Sequence, residues 1–515
     1  MNYKKNLIIL IAVFTVLRIL FASALELGAD EAYYWTYAQK LQWNYFDHPP
    51  LVAWLIRLST FNLLFHDEFF VRFGANLCVA ICTWLFFQIG SMVKSPQVGW
   101  FAALLYTSSA YISINTGSFI LPDSPQMVFW LTGIFLLIKI SRLSSVDVKY
   151  NLRWCLFGLA AGLCIMSKVH GVFLWLGVVL YALFVDRGWL KNKGMYIAAV
   201  ITLTVVSPII IWNVQHNFIT YYFHSSRIKP AGFSLHLITF FKVVLGEINL
   251  TNPFNFFLIC RSLFLLFKRR IEVEKKEIKL LLFCSLPLII LILIISVFRG
   301  TSPHWPGPAY SILLILPAIS LAADPKTKLS IVPRILKWAF AYLIFVMLVN
   351  ILSITYFPGT VSVVKTGPKT GTEDITLDMY KWKEIAVRFD SLYKSDISNK
   401  IMPRGAPIVV TNWSPAATIE YYIAYQTKQE VLGIGEVFDL HQYYWANQYK
   451  EPLKEGDNAY FIVPSDSFYY RTFNEVNSVF NSNDLPLVIT QYRSGIVCRY
   501  ISVYRMRGYK VHPKK

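Results

Sequence analysis

The chain has 515 residues, 55% hydrophobic and 15% charged. That ratio excludes an ordinary soluble globular protein, because so much apolar mass has to sit in lipid. The net charge of +19 does not indicate nucleic-acid binding: the basic residues fall mainly between apolar runs, and no nucleic-acid recognition module is present.

In chain order, Lys4-Lys5 followed by Leu7 to Leu25 has the charged and apolar regions of a signal peptide. The apolar part is longer than a cleaved h-region and further apolar runs follow, so it reads as an uncleaved first helix. At about 20 apolar residues per crossing, eleven spans are expected, near 6–25, 70–93, 98–113, 126–141, 152–166, 170–186, 195–212, 236–267, 278–298, 308–323 and 334–355. Those at 152–166 and 170–186 are short, and 236–267 is long enough to be broken. With Met1 inside, the inner connections hold twenty Lys and Arg, whereas the outer ones hold six: Lys40, Arg57, Lys168, Arg227, Lys229 and Arg299. That bias predicts a cytoplasmic N-terminus and, with an odd number of spans, a non-cytoplasmic C-terminal part.

The outer loops hold the acids, histidines and prolines. The first carries Asp30-Glu31 where a helix over 31–41 would begin, an aromatic run suited to the membrane interface, then Asp47-His48-Pro49-Pro50 and a second helix over 51–60. Two readings fit Asp30: a cap for the interfacial helix, or part of a site. The second outer loop, Asn115 to Pro125, again sets one acid, Asp123, between prolines. Two more outer connections hold Ser167-Lys168-Val-His170 and Arg299-Gly-Thr-Ser-Pro-His304-Trp305. Lys168 fits either a snorkelling side chain or a phosphate contact, and His304 either a packed loop residue or a site residue. Carboxylates and cations on one face suit a substrate with a group to deprotonate and an anionic leaving group. His224, Arg227 and Lys229, in the outer loop at 213–235, fit either substrate binding or a solvated loop. Arg18 and Glu247 stand inside apolar runs and are expected to pair within the bundle.

Beyond residue 355 the pattern alternates: helices near 376–394, 415–425 and 440–449, with strands at 407–411, 430–434, 459–463, 486–492 and 496–506. The expected fold class is therefore a polytopic all-α membrane domain, residues 1–355 with interfacial helices in 26–69, followed by a C-terminal α/β domain, residues 356–515. Seven cysteines are present, six in or beside apolar runs. Cys78 and Cys82 share a helical face without further ligands nearby, so they read as packing residues.

The run from Asp30-Glu-Ala-Tyr-Tyr-Trp to Phe46-Asp-His-Pro-Pro-Leu resembles the bacterial GT-C glycosyltransferases, the ArnT-like and protein O-mannosyltransferase-like enzymes. Leu121-Pro-Asp-Ser-Pro and Pro303-His-Trp-Pro-Gly-Pro-Ala-Tyr310 carry the same resemblance. So, for the family's C-terminal periplasmic domain, do Asn412 to Tyr425, His441-Gln-Tyr-Tyr-Trp and Asp457 to Val463. The resemblance implies an inverting sugar transfer from a polyprenyl-phosphate sugar, in the inner membrane, with the C-terminal domain in the periplasm. By the same resemblance Asp30 is the base, Glu31 and Asp123 line the site or hold a divalent cation, and Lys168, with Arg299 or His304, meets the donor phosphate. Tyr33, Tyr34, His48 and Arg227 are placed along the substrate.

Lipid A is the acceptor the resemblance favours, with protein hydroxyls and envelope glycan as alternatives; a lipid-linked-sugar flippase is the rival from another class. No cofactor is required beyond that possible cation, the partners are the bilayer and the lipid-linked sugar, and no stoichiometry is read from the sequence.

Overall fold

The structure is a computed structural model that describes residues 2–143, 148–228, 235–268, 275–468 and 470–510. Lys229, Arg269 and Arg270, counted among the loop cations, lie outside the described residues. The chain divides into two compact units: residues 1–22 with 41–347, and residues 23–40 with 348–515. The sequence reading assigned all of 26–69 to the membrane region; by its contacts, 23–40 belongs with the C-terminal part.

The first unit is helical. Among the described residues, six helices are long and apolar enough to cross a membrane: Tyr3–Ser23, Glu68–Val93, Asp123–Ser141, Lys193–Gln215, Lys276–Phe298 and Arg334–Tyr356, the last running on into the second unit. The expected count of eleven is therefore not reached on length and apolarity. The remaining expected spans are helical but shorter, interrupted or more polar. Pro96–Ser108 gives way to a π-helical turn, Tyr111–Thr116, and Leu237–Thr251 meets Pro253–Phe267 at a 99° bend.

That bend has an identifiable cause. Asn252 sits at φ +83, its amide donates to the carbonyls of Ser108 at 2.9 Å and Ala339 at 2.8 Å, and its side-chain oxygen accepts from Phe254 N–H. One side chain thus caps the second helix and satisfies carbonyls left open elsewhere in the bundle. Helix starts elsewhere follow local rules: Asp67 accepts from the Phe69 and Phe70 N–H groups, and Ser95 accepts from Val98 N–H ahead of Pro96.

Three buried ions of the bundle are held by hydroxyls and carbonyls. Arg18 donates to Ser113 Oγ at 3.0 Å and Arg72 to the Ala22 carbonyl at 2.6 Å, while Glu247 accepts from Tyr310 OH at 2.9 Å. Arg18 and Glu247 do find partners within the bundle, and those partners are neutral. The seven cysteines are free.

The second unit carries a six-stranded sheet: β1 (Ile408–Val410), β2 (Val431–Gly433), β3 (Ala459–Pro464), β4 (Phe480–Asn483), β5 (Leu487–Arg493) and β6 (Ile496–Tyr509). Its order is β2-β1-β3-β6-β4, with β5 also on β6. β1 pairs in parallel with β2 and β3, while β6 runs antiparallel to β3, β4 and β5. All six residues of β3 are buried, as befits a central strand. The helix expected at 376–394 starts later, at Trp382–Ser398, and the one at 440–449 is broken at His441. β4 and the helix Tyr470–Ser478 were not expected: that helix is polar on average, and Thr472 and Val476 are the residues it buries.

Two arginines, Arg505 partly buried and Arg493 fully buried, pin this unit. Arg505 meets Asp396 through two 2.7 Å bonds, with Tyr460 OH adding a third to the same carboxylate. Arg493 bonds Asp374 and donates to the carbonyls of Ser353 and Ile354, capping the end of Arg334–Tyr356.

Candidate active site

In the first unit, Asp123 opens the helix Asp123–Ser141, where the macrodipole favours an anion. Lys168 follows the end of Val148–Ser167 in extended backbone. The two meet: Lys168 Nζ lies 2.7 Å from Asp123 Oδ2, with both side chains almost fully buried. Tyr111 OH donates to the other carboxylate oxygen at 2.8 Å. Lys168 therefore does not snorkel. Among the described residues its ammonium hydrogen-bonds Asp123, which leaves further ammonium protons for a ligand.

Tyr111 comes from the π-helical turn, and its ring lies over Gly307, where an added Cβ would stand 2.3 Å from the ring. Glycine is needed there for space.

Around this pair stand groups from four further segments. His48 is half-buried, and its imidazole is held well below the usual histidine range by burial, then by the charges of Lys168 and His224. His304 is pushed down to about 4 by burial and by Lys168. Both are neutral at pH 7. His224 is lowered too, first by burial; its Nε2–H donates to the Asp47 carbonyl at 2.8 Å. Arg227 lies 5.4 Å over the rings of both Phe223 and Trp305, and the Trp305 ring is 6.0 Å from His170. With the histidines neutral and Asp123 offsetting Lys168, Arg227 leaves the cluster with a net positive charge. Such a cluster is suited to an anionic group.

Arg299 lies outside this account. It donates to the Ser226 carbonyl, holding the end of the helix Ile219–Ile228, so its visible work is structural.

In the second unit, the helix Ala29–Gln39 begins after Gly28, which has no side chain to cap it. Glu31 accepts from Gly28 N–H at 3.1 Å, half of a capping box. Asp378 accepts from Ala29 N–H through both oxygens, at 2.9 and 3.1 Å. The cap bonds thus come from Glu31 and Asp378, and Asp30 stands exposed in the same turn.

The exchange is mutual: Glu26 accepts from the Trp382 and Lys383 N–H groups that open Trp382–Ser398. Tyr33 is buried against Trp413, and its hydroxyl accepts from Gln442 N–H at 3.0 Å. Tyr34 is buried beside Tyr33 and Tyr37. These tyrosines pack the helix into its unit.

The donor set does not suit a divalent cation at Glu31 and Asp123. Both Asp123 oxygens are engaged by Tyr111 and Lys168, Glu31 caps its own helix, and among the described residues no three His, Cys, Asp or Glu gather as a metal needs.

Comparison with known proteins bears on this geometry. Residues 47–212 match the family model of dolichyl-phosphate-mannose-protein mannosyltransferases. The lipid A galacturonosyltransferase of Rhizobium johnstonii is 22% identical over 60% of this chain. An undecaprenyl phosphate-alpha-4-amino-4-deoxy-L-arabinose arabinosyl transferase of Proteus mirabilis is 28% identical over 31% of it. The matches span 64% and 31% of those relatives' own lengths. The crystal structure of ArnT from Cupriavidus metallidurans shares the fold at a TM-score of 0.61, 11% identity and 98% coverage of both chains.

The chain is similar to these lipid A and arabinosyl transferases and shares the ArnT fold. The matched segment 47–212 contains His48, Asp123 and Lys168 of the cluster.

The sequence reading names Asp123, Lys168, His48, Arg227 and His304 separately, and folding pairs the first two and gathers the other three around them. It had not singled out Tyr111, Glu26 or Asp378. Tyr111 sits in an apolar run read as a span, and Asp378 lies 349 residues from the amide it holds, beyond the reach of any local pattern.

Proposed function

We propose that this protein is a glycosyltransferase that moves a sugar from a polyprenyl-phosphate donor to lipid A. The observation that carries the reading is the buried Lys168–Asp123 pair bordered by Arg227, His48 and His304, a cationic cluster suited to the phosphate of a lipid-linked donor. It is supported by relatives named for galacturonosyl and aminoarabinosyl transfer and by an ArnT structure bound to undecaprenyl phosphate. Galacturonic acid and 4-amino-4-deoxyarabinose are the sugars these relatives favour.

In this reading the chain crosses the inner membrane eleven times, with Met1 in the cytoplasm and the second unit in the periplasm. Asp30 takes the proton of an acceptor hydroxyl while the acceptor oxygen bonds the anomeric carbon from the side opposite the phosphate, inverting it. The carbon–oxygen bond to the phosphate breaks, and polyprenyl phosphate leaves with its charge met by Lys168 and Arg227. His48 and His304, neutral beforehand, become hydrogen-bond donors or cations once an anion offsets the field of Lys168. Against an already ionised lipid A phosphate, Asp30 orients the acceptor instead. Tyr33 and Tyr34 act by fixing the helix that presents Asp30.

The family model's description favours one second reading, transfer to protein hydroxyls. Mass spectrometry of lipid A from a deletion strain tests the first: loss of a uronic-acid-sized or pentosamine-sized mass is expected. An unchanged lipid A spectrum, with a hexose missing from envelope proteins, replaces lipid A by protein as the acceptor.

A further inference from the structure

Helices usually find their N-terminal caps in adjacent residues. Ala29–Gln39 does so only in part, because position 28 is glycine. An alanine Cβ there would lie 2.8 Å from Met379 Cε and 3.0 Å from Asp378 Oδ2. The missing side chain makes room for a carboxylate from elsewhere in the chain, which grips the Ala29 amide with both oxygens.

Asp378 is itself held. It follows the turn Ile375–Leu377, which Asp374 caps by accepting from Thr376 N–H, and its own carbonyl accepts from Trp382 Nε1 at 3.0 Å. Glu26 returns the exchange to the next helix.

We propose that Asp378 is a positioning residue for Asp30: it anchors the first turn from which Asp30 projects, and it is the ionisable neighbour whose charge acts on that turn. The inference rests on Asp30 being the base of the proposed reaction. Asp378 borders a cavity of about 310 Å³ shared with Glu373, Trp382, Ser414, Asp466 and Arg499, so it has a route to exchange a proton with solvent. The charged groups that face it are Asp30 on the helix it caps, Asp466 after β3, Arg499 on β6, and Glu373 and Asp374 on its own turn. Burial and the charge of Asp30 raise its carboxyl to about 7, against the helix N-terminus and Arg499, which favour the anion. Asp378 therefore changes charge near neutral pH in the field of Asp30.

The experiment uses the full-length protein in lipid nanodiscs, with hydrogen–deuterium exchange of the peptide covering 27–34 as one readout. The pH dependence of sugar transfer is the other. Asp378→Ala is expected to speed exchange at Ala29 at least tenfold. Asp378→Asn keeps one acceptor oxygen and fold integrity, so it should show a smaller rise. In Asp378→Asn the inflection of kcat near pH 7 disappears, while KM for the lipid-linked donor changes less than twofold.

Gly28→Ala, which pushes on the same carboxylate from the other side, should reproduce the faster exchange. Unchanged exchange in both Asp378→Asn and Gly28→Ala, or a wild-type pH profile in Asp378→Asn, overturns the proposal. A wild-type protein that transfers no sugar sinks the functional reading alone, and the exchange comparison then decides the role of Asp378.

Discussion

Asp123 and Asp30 look alike in the sequence, each an acid beside the start of a helix, and they end in opposite states. Asp123 is buried with one oxygen on Lys168 and the other on Tyr111. Asp30 is exposed, in a first turn whose cap bonds are made by Glu31 and Asp378. A carboxylate committed to two donors is a weak base and a strong orienter of its cation. The difference is one of environment: Asp123 is fixed inside the first unit, and Asp30 is exposed on the second.

The sharpest way to break this comparison is Asp30→Asn. Sugar transfer by purified protein should fall about 10²–10⁴-fold with thermal unfolding unchanged; retained activity would remove Asp30 from the chemistry. Asp123 should differ by losing stability as well. Lys168→Ala or Asp123→Ala strands a buried charge, which costs about 3–5 kcal/mol and should appear as a large drop in melting temperature. The double variant Asp123→Asn with Lys168→Met should recover much of it, and a double mutant as unstable as the sum would deny the coupling.

Tyr111→Phe deletes a hydrogen bond to a charged acceptor and should destabilise by about 1.5–3 kcal/mol, read by the same melting curves.

Acidification separates the units more gently. His304 is neutral in the folded protein down to about pH 4, while the unfolded chain takes up its proton near 6.5. The unfolded state therefore binds more protons in that window, and the contribution of His304, with His48 in the same direction, is full above 6.5 and lost as pH falls towards 4. Asp378 has the opposite sign: protonated in the fold up to about 7 but ionised above 3.8 when unfolded, it loses its contribution as pH rises through that range. His304→Asn should flatten the acid limb of the melting profile and Asp378→Asn the neutral one. Least of all, Glu384→Ala breaks an exposed pair with Arg388 and should cost under about 0.5 kcal/mol.

Much of this was legible beforehand. Apolar runs located the helices, because a bilayer demands length and apolarity in contiguous sequence, and the β-branched runs at 408–410 and 459–463 located the central strands. The count of crossings was less legible: Asn252 breaks a run that composition alone joins, and Ser109 ends a helix inside another. The helix Tyr470–Ser478 was missed because it is polar on average, with its burial confined to a narrow stripe.

The sequence by itself determined that this is a membrane protein with acids and cations in its loops, which residue types could serve a lipid-phosphate donor, and which family it resembles. Tertiary structure decided what each does. It put Lys168 on Asp123, gathered His48, Arg227 and His304 around them, set Arg299 to a carbonyl, and moved the capping of Asp30's helix to Asp378. The physical reason is range: apolarity and propensity act between neighbours, whereas a buried charge is satisfied by whatever the fold brings within about 3 Å.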